Sequence, residues 1–168
     1  MTADGPAFAA LVKRHQAMVF SIAWNYLRND ALAEEIAQEA FLELHRRMPQ
    51  IESDLHAANF LRKVAAHRSM DEGRRRRSQP WVGLADAPEP SADPAVGDPL
   101  MEGALGKLID SLPGRSRMIV ILRYQEDLDP PEIADALGIP LGTVKSNLHR
   151  SLLVLRKRMA RHWKGVVQ

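Results

Sequence analysis

A proline-rich segment in the middle of the chain is the feature that most constrains its fold. Residues 78–99 read SQPWVGLADAPEPSADPAVGDP and hold five of the eleven prolines, with four acidic residues and no lysine or arginine. Proline interrupts helices, and the segment has few residues that could build a core. We therefore predict a flexible linker at 78–100, which separates a first domain at 1–77 from a second at 101–168.

Apolar residues on both sides of this segment recur at helical spacing. In the first domain they predict helices from Phe8 to Tyr26, from Ala33 to Met48 and from about 57 to 77. In the second they predict a short helix before Pro113, followed by helices at 115–124, 131–137 and 141–159. Runs of β-branched residues are nearly absent, so we predict an all-α fold of two small helical domains joined by a linker.

Several classes of protein are disfavoured by the same composition. The 168 residues include no cysteine, which excludes a disulfide framework and cysteine zinc sites. No apolar run approaches membrane-spanning length, and the first residues lack the pattern of a signal peptide. No HExxH spacing or glycine-rich phosphate loop accompanies the carboxylates. We therefore expect a cytoplasmic location, no membrane insertion, no metal and no cofactor.

The stretch PPEIADALGIPLGTVKSNLHRSL has the local pattern of a helix-turn-helix. Ile133, Ala134 and Leu137 face inward, and Gly138 can take the left-handed conformation that ends the first helix. The buried stripe of the second helix is predicted to be Leu141, Val144, Leu148, Leu152 and Leu155. That stripe leaves five polar residues on the outer face, mostly in the turns that enter the major groove in this motif: Thr143, Lys145, Ser146, His149 and Arg150.

Charge supports a nucleic-acid partner for this half of the chain. After Asp135 there is no acidic residue, and seven lysines and arginines follow. A helical hairpin with a solvated basic face is the plainer alternative, but the helix-turn-helix spacing together with the acid-free tail favours DNA binding. For the basic run at 156–158 we expect nonspecific attraction to phosphates or simple solvation.

Two helices of the first domain carry opposite charges. The segment ALAEEIAQEAFLELHRRM presents Glu34, Glu35, Gln38, Glu39 and Glu43, and we predict that Glu35 and Glu39 repel each other without an internal partner. This face is either solvated or binds a basic protein surface.

The segment NFLRKVAAHRSMDEGRRRR is basic instead, and its four successive arginines exceed what local pairing can neutralise, which favours a phosphate backbone. Phe60 and His67 either stack on an unpaired base or pack in the core.

In this order the pieces closely resemble the extracytoplasmic-function (ECF) sigma factors of bacterial RNA polymerase. AEEIAQEAFLEL resembles region 2.2, which binds the clamp helices of the polymerase β′ subunit. NFLRKVAAHRSMDEGRRRR resembles regions 2.3 and 2.4, which open and hold the minus-ten promoter element. LPGRSRMIVILRYQEDLDPPEIADALGIPLGTVKSNLHRSL resembles region 4, with GTVKSNLHR as the helix that reads the minus-thirty-five element.

The resemblance implies a set of functional residues in each domain. Core polymerase would be bound by Glu34, Glu35, Gln38 and Glu39. The minus-ten element would be bound by Phe60, Arg62, Lys63, His67, Arg68, Asp71, Arg74 and Arg75. The minus-thirty-five element would be bound by Arg115, Arg117, Thr143, Lys145, Ser146, Asn147, His149 and Arg150. The family commonly has Trp in place of Phe60, Asn in place of His67 and Arg in place of Asn147, and these departures concern promoter recognition.

The resemblance also implies the partners and the mode of action. The chain would be no enzyme itself, since polymerase performs the chemistry. It would contact the β′ clamp helices and the β flap, bind promoter DNA, help to melt it for a specific regulon, and be held by an anti-sigma factor. A stand-alone regulator of duplex DNA and an enzyme acting on nucleic acid are the alternatives. The first leaves the acidic and arginine helices unexplained, and the second lacks a catalytic constellation.

Overall fold

The protein is all-helical where a computed structural model describes it, at residues 5–78 and 99–166. Those residues form seven α-helices and one 3-10 turn, Met48–Gln50, and contain no strand. The helices are α1 (Gly5–Leu27), α2 (Asp30–Arg46), α3 (Asp54–Ser78), α4 (Pro99–Asp110), α5 (Gly114–Tyr124), α6 (Pro130–Leu137) and α7 (Leu141–Val166). The predicted all-α class is confirmed.

Contacts between residues divide the chain into two compact units, one containing α1 to α3 and the other α4 to α7. The predicted linker lies outside the described residues except at its ends, where Ser78 closes α3 and Pro99 opens α4. No helix in the described ranges is long and apolar enough to cross a membrane. Nor do those ranges bring together three side chains that could hold a metal ion.

The first unit is a three-helix bundle in which every helix packs on the other two. Small residues allow this close packing, since Ala23, Ala33 and Ala65 are fully buried beside larger side chains such as Ile22 and Leu44. Asn29 begins α2 by accepting a hydrogen bond from the backbone N–H of Leu32.

A polar contact fastens the middle of α1 to the start of α3. Asp54 Oδ1 accepts hydrogen bonds from Arg14 Nη1 at 2.6 Å and from His15 Nε2 at 2.9 Å. His15 is buried, whereas the carboxylate of Asp54 is nearly half exposed. The hydrogen bonds from His15 and then Arg14 lower the pKa of the Asp54 carboxyl from its ordinary value of 3.8.

The second unit contains the predicted helix-turn-helix, formed by α6 and α7. Asp129 and Glu132 form a reciprocal capping box at the start of α6, with hydrogen bonds of 2.9 Å and 2.8 Å. Gly138 ends the helix with φ at +64°, as its predicted left-handed conformation requires. The backbone N–H of Ile139 then donates to the Ala134 carbonyl at 3.1 Å and closes the corner.

The buried stripe of α7 differs from the prediction at its first member. Val144, Leu148 and Leu155 are buried and Leu152 is half-buried, but Leu141 is 37% exposed. Leu141 is the first residue of the helix and lies at the edge of the packed stripe. The helix also continues to Val166, seven residues beyond the predicted end at 159.

Candidate nucleic-acid and protein interfaces

The outer face of α2 is acidic, as predicted, and an apolar groove runs along its side. Glu34, Glu35 and Gln38 are exposed to solvent. The groove lies between α1 and α2, and Leu42, on its edge, is 58% exposed. Its lining includes Phe8, Val12, Phe20, Ala37 and Phe41, with Glu34 and Gln38 among the polar members.

Glu39 has an internal partner, so the expectation that this carboxylate lacks one was wrong. Arg68 Nη1 on α3 lies 3.1 Å from Glu39 Oε2, and Arg68 Nη2 lies 3.3 Å from Glu43 Oε2. A single guanidinium therefore bridges two carboxylates on α2. The bridge could not be predicted from the sequence, because Arg68 is 25 residues from Glu43 and only the packing of α2 against α3 brings them together.

Two of the four successive arginines on α3 pair locally with acidic residues of the same helix. Arg74 pairs with Asp71, and Arg75 Nη2 lies 2.8 Å from Glu72 Oε1. The hydrogen bond to Glu72 raises the pKa of Arg75, and Glu35 adds a smaller electrostatic contribution in the same direction. The spacing of three residues places these partners on one side of the helix, a signal that was available in the sequence.

Other predicted minus-ten residues lie along the same helix in different surroundings. Lys63 is exposed, and Arg62 is half-buried with its Nη1 donating to Asn59 Oδ1 at 3.2 Å. Phe60 and His67 are both half-buried. Arg47, which sequence reasoning did not select, places its guanidinium carbon 5.4 Å from the centre of the Phe60 ring.

The predicted recognition face of α7 is open to solvent. Lys145, Ser146, His149 and Arg150 are exposed, and Thr143 is half-buried. Arg150 Nε donates to the Ser146 carbonyl at 3.3 Å, which lays the guanidinium along the helix surface. This face offers Lys145 and Arg150, the hydroxyls of Thr143 and Ser146 and the imidazole of His149 as groups that could pair with phosphates or base edges.

Asn147 lies beside these residues but turns toward α5. Its Oδ1 accepts a hydrogen bond from Ser116 Oγ at 2.9 Å, and its Nδ2 donates to the Thr143 carbonyl at 2.8 Å. The side chain is half-buried between the two helices. Asn147, one of the predicted minus-thirty-five residues, is thus placed to hold α7 against α5.

The two predicted arginines of α5 are in unlike positions. Arg115 is exposed on the first turn of the helix. Arg117 is half-buried, and its Nη2 donates to the Leu112 carbonyl at 3.3 Å. Arg117 therefore also braces the turn that joins α4 to α5.

Comparison with known families and proteins agrees with this division into two units. The family description "Sigma-70 region 2" matches residues 11–79, and "Sigma-70, region 4" matches residues 102–155. The ECF RNA polymerase sigma factor SigL of Mycobacterium tuberculosis is 30% identical over 159 residues, which cover 92% of this chain and 89% of SigL. The chain belongs to the ECF sigma factors.

A second relative agrees with this assignment, and a solved structure shares the fold. SigW of Bacillus subtilis, also an ECF sigma factor, is 27% identical over 169 residues, covering 93% of this chain and 90% of SigW. The sigma factor RpoE of Bartonella quintana, solved in complex with the anti-sigma factor NepR, has the same fold with a TM-score of 0.68 at 16% identity, over 92% of this chain and 97% of RpoE. This sigma factor recognises promoters and initiates transcription with RNA polymerase.

The matched regions fall on the helices that carry the candidate sites. Region 2 spans most of α1 together with α2 and α3, and so includes the acidic face and the arginine helix. Region 4 ends at residue 155, eleven residues before the end of α7 at Val166. The last part of α7 thus lies beyond the segment that this sigma factor shares with the family description.

Proposed function

We propose that the two units divide the work of promoter recognition between a polymerase contact and two DNA contacts. The first unit, residues 1–77, binds core polymerase and the minus-ten element. The second, residues 101–168, binds the minus-thirty-five element, and residues 78–100 connect them. The observation that carries the proposal is the open polar face at the start of α7, directly after the glycine corner of a helix-turn-helix.

The polymerase contact uses the acidic face of α2. Glu34, Glu35 and Gln38 are exposed and meet basic residues of the β′ clamp helices, and Glu39 joins them at the edge where it also pairs with Arg68. A desolvated charge contact of this kind adds specificity and association rate more than affinity. The second unit meets the β flap.

The minus-ten element is held by α3 and the residue groups beside it. Lys63, Arg68, Arg74 and Arg75 attract phosphates, Arg62 and Asp71 hold neighbouring side chains, and Phe60 and His67 stack on unpaired bases. Extruding a base costs a few kcal/mol. A protein that stacks on the extruded base therefore stabilises melted promoter DNA.

The minus-thirty-five element is read as duplex. Thr143, Lys145, Ser146, His149 and Arg150 face the major groove, and Arg115 meets a phosphate. Asn147 and Arg117 act from inside the unit, where they hold α7 and the start of α5 in place. In this scheme the sigma factor supplies no catalytic group and needs no cofactor. Polymerase performs the reaction in the cytoplasm, where its template lies.

An anti-sigma factor is a further partner in this proposal. RpoE of Bartonella quintana was solved with the anti-sigma factor NepR. The apolar groove between α1 and α2, with Leu42 exposed on its edge, gives such a partner a surface to cover in the first unit.

The decisive experiment adds the purified chain to sigma-free core polymerase and measures promoter-specific initiation. Initiation is expected, whereas duplex binding without initiation would identify a stand-alone regulator instead. The double variant Glu34→Lys, Glu35→Lys should lose polymerase binding and keep duplex binding, because it reverses the exposed acids and spares the Arg68 bridge. The matched control is Glu52→Lys, Asp127→Lys, which makes the same charge change at exposed positions elsewhere and should bind polymerase normally.

A further inference from the structure

The last part of α7 extends beyond the core of the second unit. Leu155 is the last buried side chain of the helix, and residues 160–165 are all exposed. Trp163 is 50% exposed within this segment. Packing therefore does not explain why the helix continues to Val166.

The exposed cations of this segment have no acidic partners among residues 5–78 and 99–166. We call Arg156, Lys157, Arg161 and Lys164 the distal cations; within the described residues no carboxylate lies at ion-pair distance from any of them. Arg158, by contrast, turns inward and donates to Ser111 Oγ on the α4–α5 connection. Lys157 and Arg161 lie one turn apart, and like charges at that spacing destabilise a helix by about 0.2–0.5 kcal/mol. The helix dipole favours cations only in the last turn, which accounts for Lys164 but not for Arg156 or Lys157.

The distal cations share a face with the proposed recognition residues. Eleven residues make three helical turns, and this spacing separates Lys145 from Arg156, Ser146 from Lys157 and Arg150 from Arg161. At 1.5 Å per residue the distal set begins about 16 Å farther along the axis. The two sets therefore lie on one face of α7, with the exposed Leu153 between them.

We propose that the distal cations form a second DNA contact, which binds duplex phosphates beside the minus-thirty-five element without reading sequence. This inference rests on the proposed DNA binding by the start of α7. A helix of 26 residues is about 39 Å long, whereas the major groove is about 12 Å wide. A helix whose first turns lie in the groove must therefore leave it and pass a phosphate strand, as the end of the homeodomain recognition helix does.

Phosphates suit this surface better than an acidic protein does. The distal cations carry the same charge as Lys145 and Arg150 and continue their face, so a duplex bound by one set lies next to the other. Exposed lysines and arginines without fixed partners give the nonspecific, salt-dependent attraction that a DNA backbone provides.

The test compares two triple variants of the full chain with equal net charge. Lys157→Gln, Arg161→Gln, Lys164→Gln removes distal cations, and Lys13→Gln, Arg46→Gln, Lys107→Gln removes three exposed cations elsewhere. Binding to a random-sequence duplex of about 30 base pairs is measured between 50 and 200 mM salt. Each lost phosphate contact lowers the slope of log affinity against log salt by about 0.9, so the distal variant should lose about 2–3 from the slope and the control less than about 1.

Several outcomes would overturn the proposal. One is a distal variant with the wild-type slope, and another is a control variant that loses as much. Loss of core polymerase binding with an unchanged slope would assign the surface to a protein partner. Circular dichroism verifies that each variant is folded. The slope should stay at the wild-type value in the double variant Lys157→Arg, Lys164→Arg, because it keeps both charges. A wild-type chain that bound no duplex would overturn the inference as well, because the start of α7 would then not bind DNA, whereas the proposed function is tested separately by initiation with core polymerase.

Discussion

At the scale of single residues, Gly73 lies where an added side chain would meet a buried ring. A Cβ placed on this residue of α3 would lie 2.8 Å from Cε1 of Tyr26, whose ring is buried in the bundle. Gly73→Ala should therefore destabilise the first unit by about 1–3 kcal/mol, more than the gain of about 0.5–1 kcal/mol from helix propensity. Denaturant unfolding measures this.

Gly103 on α4 provides the matched control for that substitution. A Cβ on Gly103 meets no atom within 4 Å, so only the propensity term applies. Gly103→Ala should stabilise the second unit by about 0.5–1 kcal/mol. Gly73→Ala and Gly103→Ala should therefore change stability in opposite directions. A change in the same direction would show that the close approach of Tyr26 is not the reason for a glycine at position 73.

We predict that Asn147 stabilises the second unit and does not contact DNA. Asn147→Ala removes the hydrogen bonds to Ser116 and to the Thr143 carbonyl, and each is worth about 0.5–1.5 kcal/mol. The free energy of unfolding of the second unit should fall by a similar amount. The double variant with Ser116→Ala should lose less than the sum of the two single losses, because both changes remove the same hydrogen bond. The slope of duplex affinity against salt should stay unchanged, and a shallower slope would place Asn147 at a phosphate.

At the scale of elements, Arg68 joins a helix that is proposed to bind polymerase to one that is proposed to bind DNA. Because Glu39 and Glu43 occupy its guanidinium, Arg68 is partly withheld from phosphates in the free protein. Glu39→Gln, Glu43→Gln should raise affinity for a single-stranded oligonucleotide and steepen its salt dependence by about 0.7, the value of one phosphate contact on a single strand.

The control for this prediction must remove the same charge without freeing Arg68. Glu34→Gln, Glu52→Gln does so, since both carboxylates are exposed on the first unit and Arg68 pairs with neither. It should increase oligonucleotide binding less than the pair at 39 and 43 does. Equal increases would show that net charge alone controls binding, and that the bridge from α3 to α2 does not compete with DNA.

The contact between α1 and α3 predicts a pH dependence of stability. The pKa of Asp54 is lowered in the folded state, so its ionised form favours folding at any pH above the ordinary value of 3.8. This contribution is lost as the pH falls from about 4 through the lowered pKa. Asp54→Asn should therefore destabilise the first unit at pH 7, and its difference from wild type should shrink as the pH falls below 3.8.

Amide hydrogen exchange in α1 and α3 measures the stability of the first unit separately from that of the second. Glu52→Gln serves as the control, because it removes an exposed carboxylate two residues earlier that neither Arg14 nor His15 contacts. A difference between Asp54→Asn and wild type that stayed constant from pH 7 to pH 2.5 would assign the effect to helix-end geometry instead of ionisation.

At the scale of the whole molecule, periodicity and local motifs were sufficient to predict both helical units. The spacing of apolar residues predicted the helices, and the glycine at position 138 predicted the turn before α7. Contacts between distant segments were missed, including the Arg68 bridge and the Ser116–Asn147 hydrogen bond. Periodicity shows which side of a helix is buried, but the partner of a half-buried polar side chain depends on how two helices pack.

The charge distribution also has meaning only at this scale. The formal net charge is +2, yet the residues after Asp135 contain seven lysines and arginines and no acid. Acidic residues are concentrated earlier, on α2 and in the proline-rich segment. Because nucleic-acid attraction depends on the local field, the second unit can bind DNA strongly although the whole chain is nearly neutral.

Lengthening the proline-rich segment should distinguish a simple connection between the two units from a segment that itself binds a partner. Insertion of twenty Gly and Ser residues between Glu89 and Pro90 would double the segment at 79–98, and each doubling of a flexible loop costs about 0.6 kcal/mol. Hydrogen exchange in both units should stay unchanged, while promoter affinity of the polymerase complex falls about threefold. A scrambled segment of the same length and composition should match wild type. A fall greater than about tenfold in either variant would show that this segment makes specific contacts of its own, and that connecting the two units is not its main role.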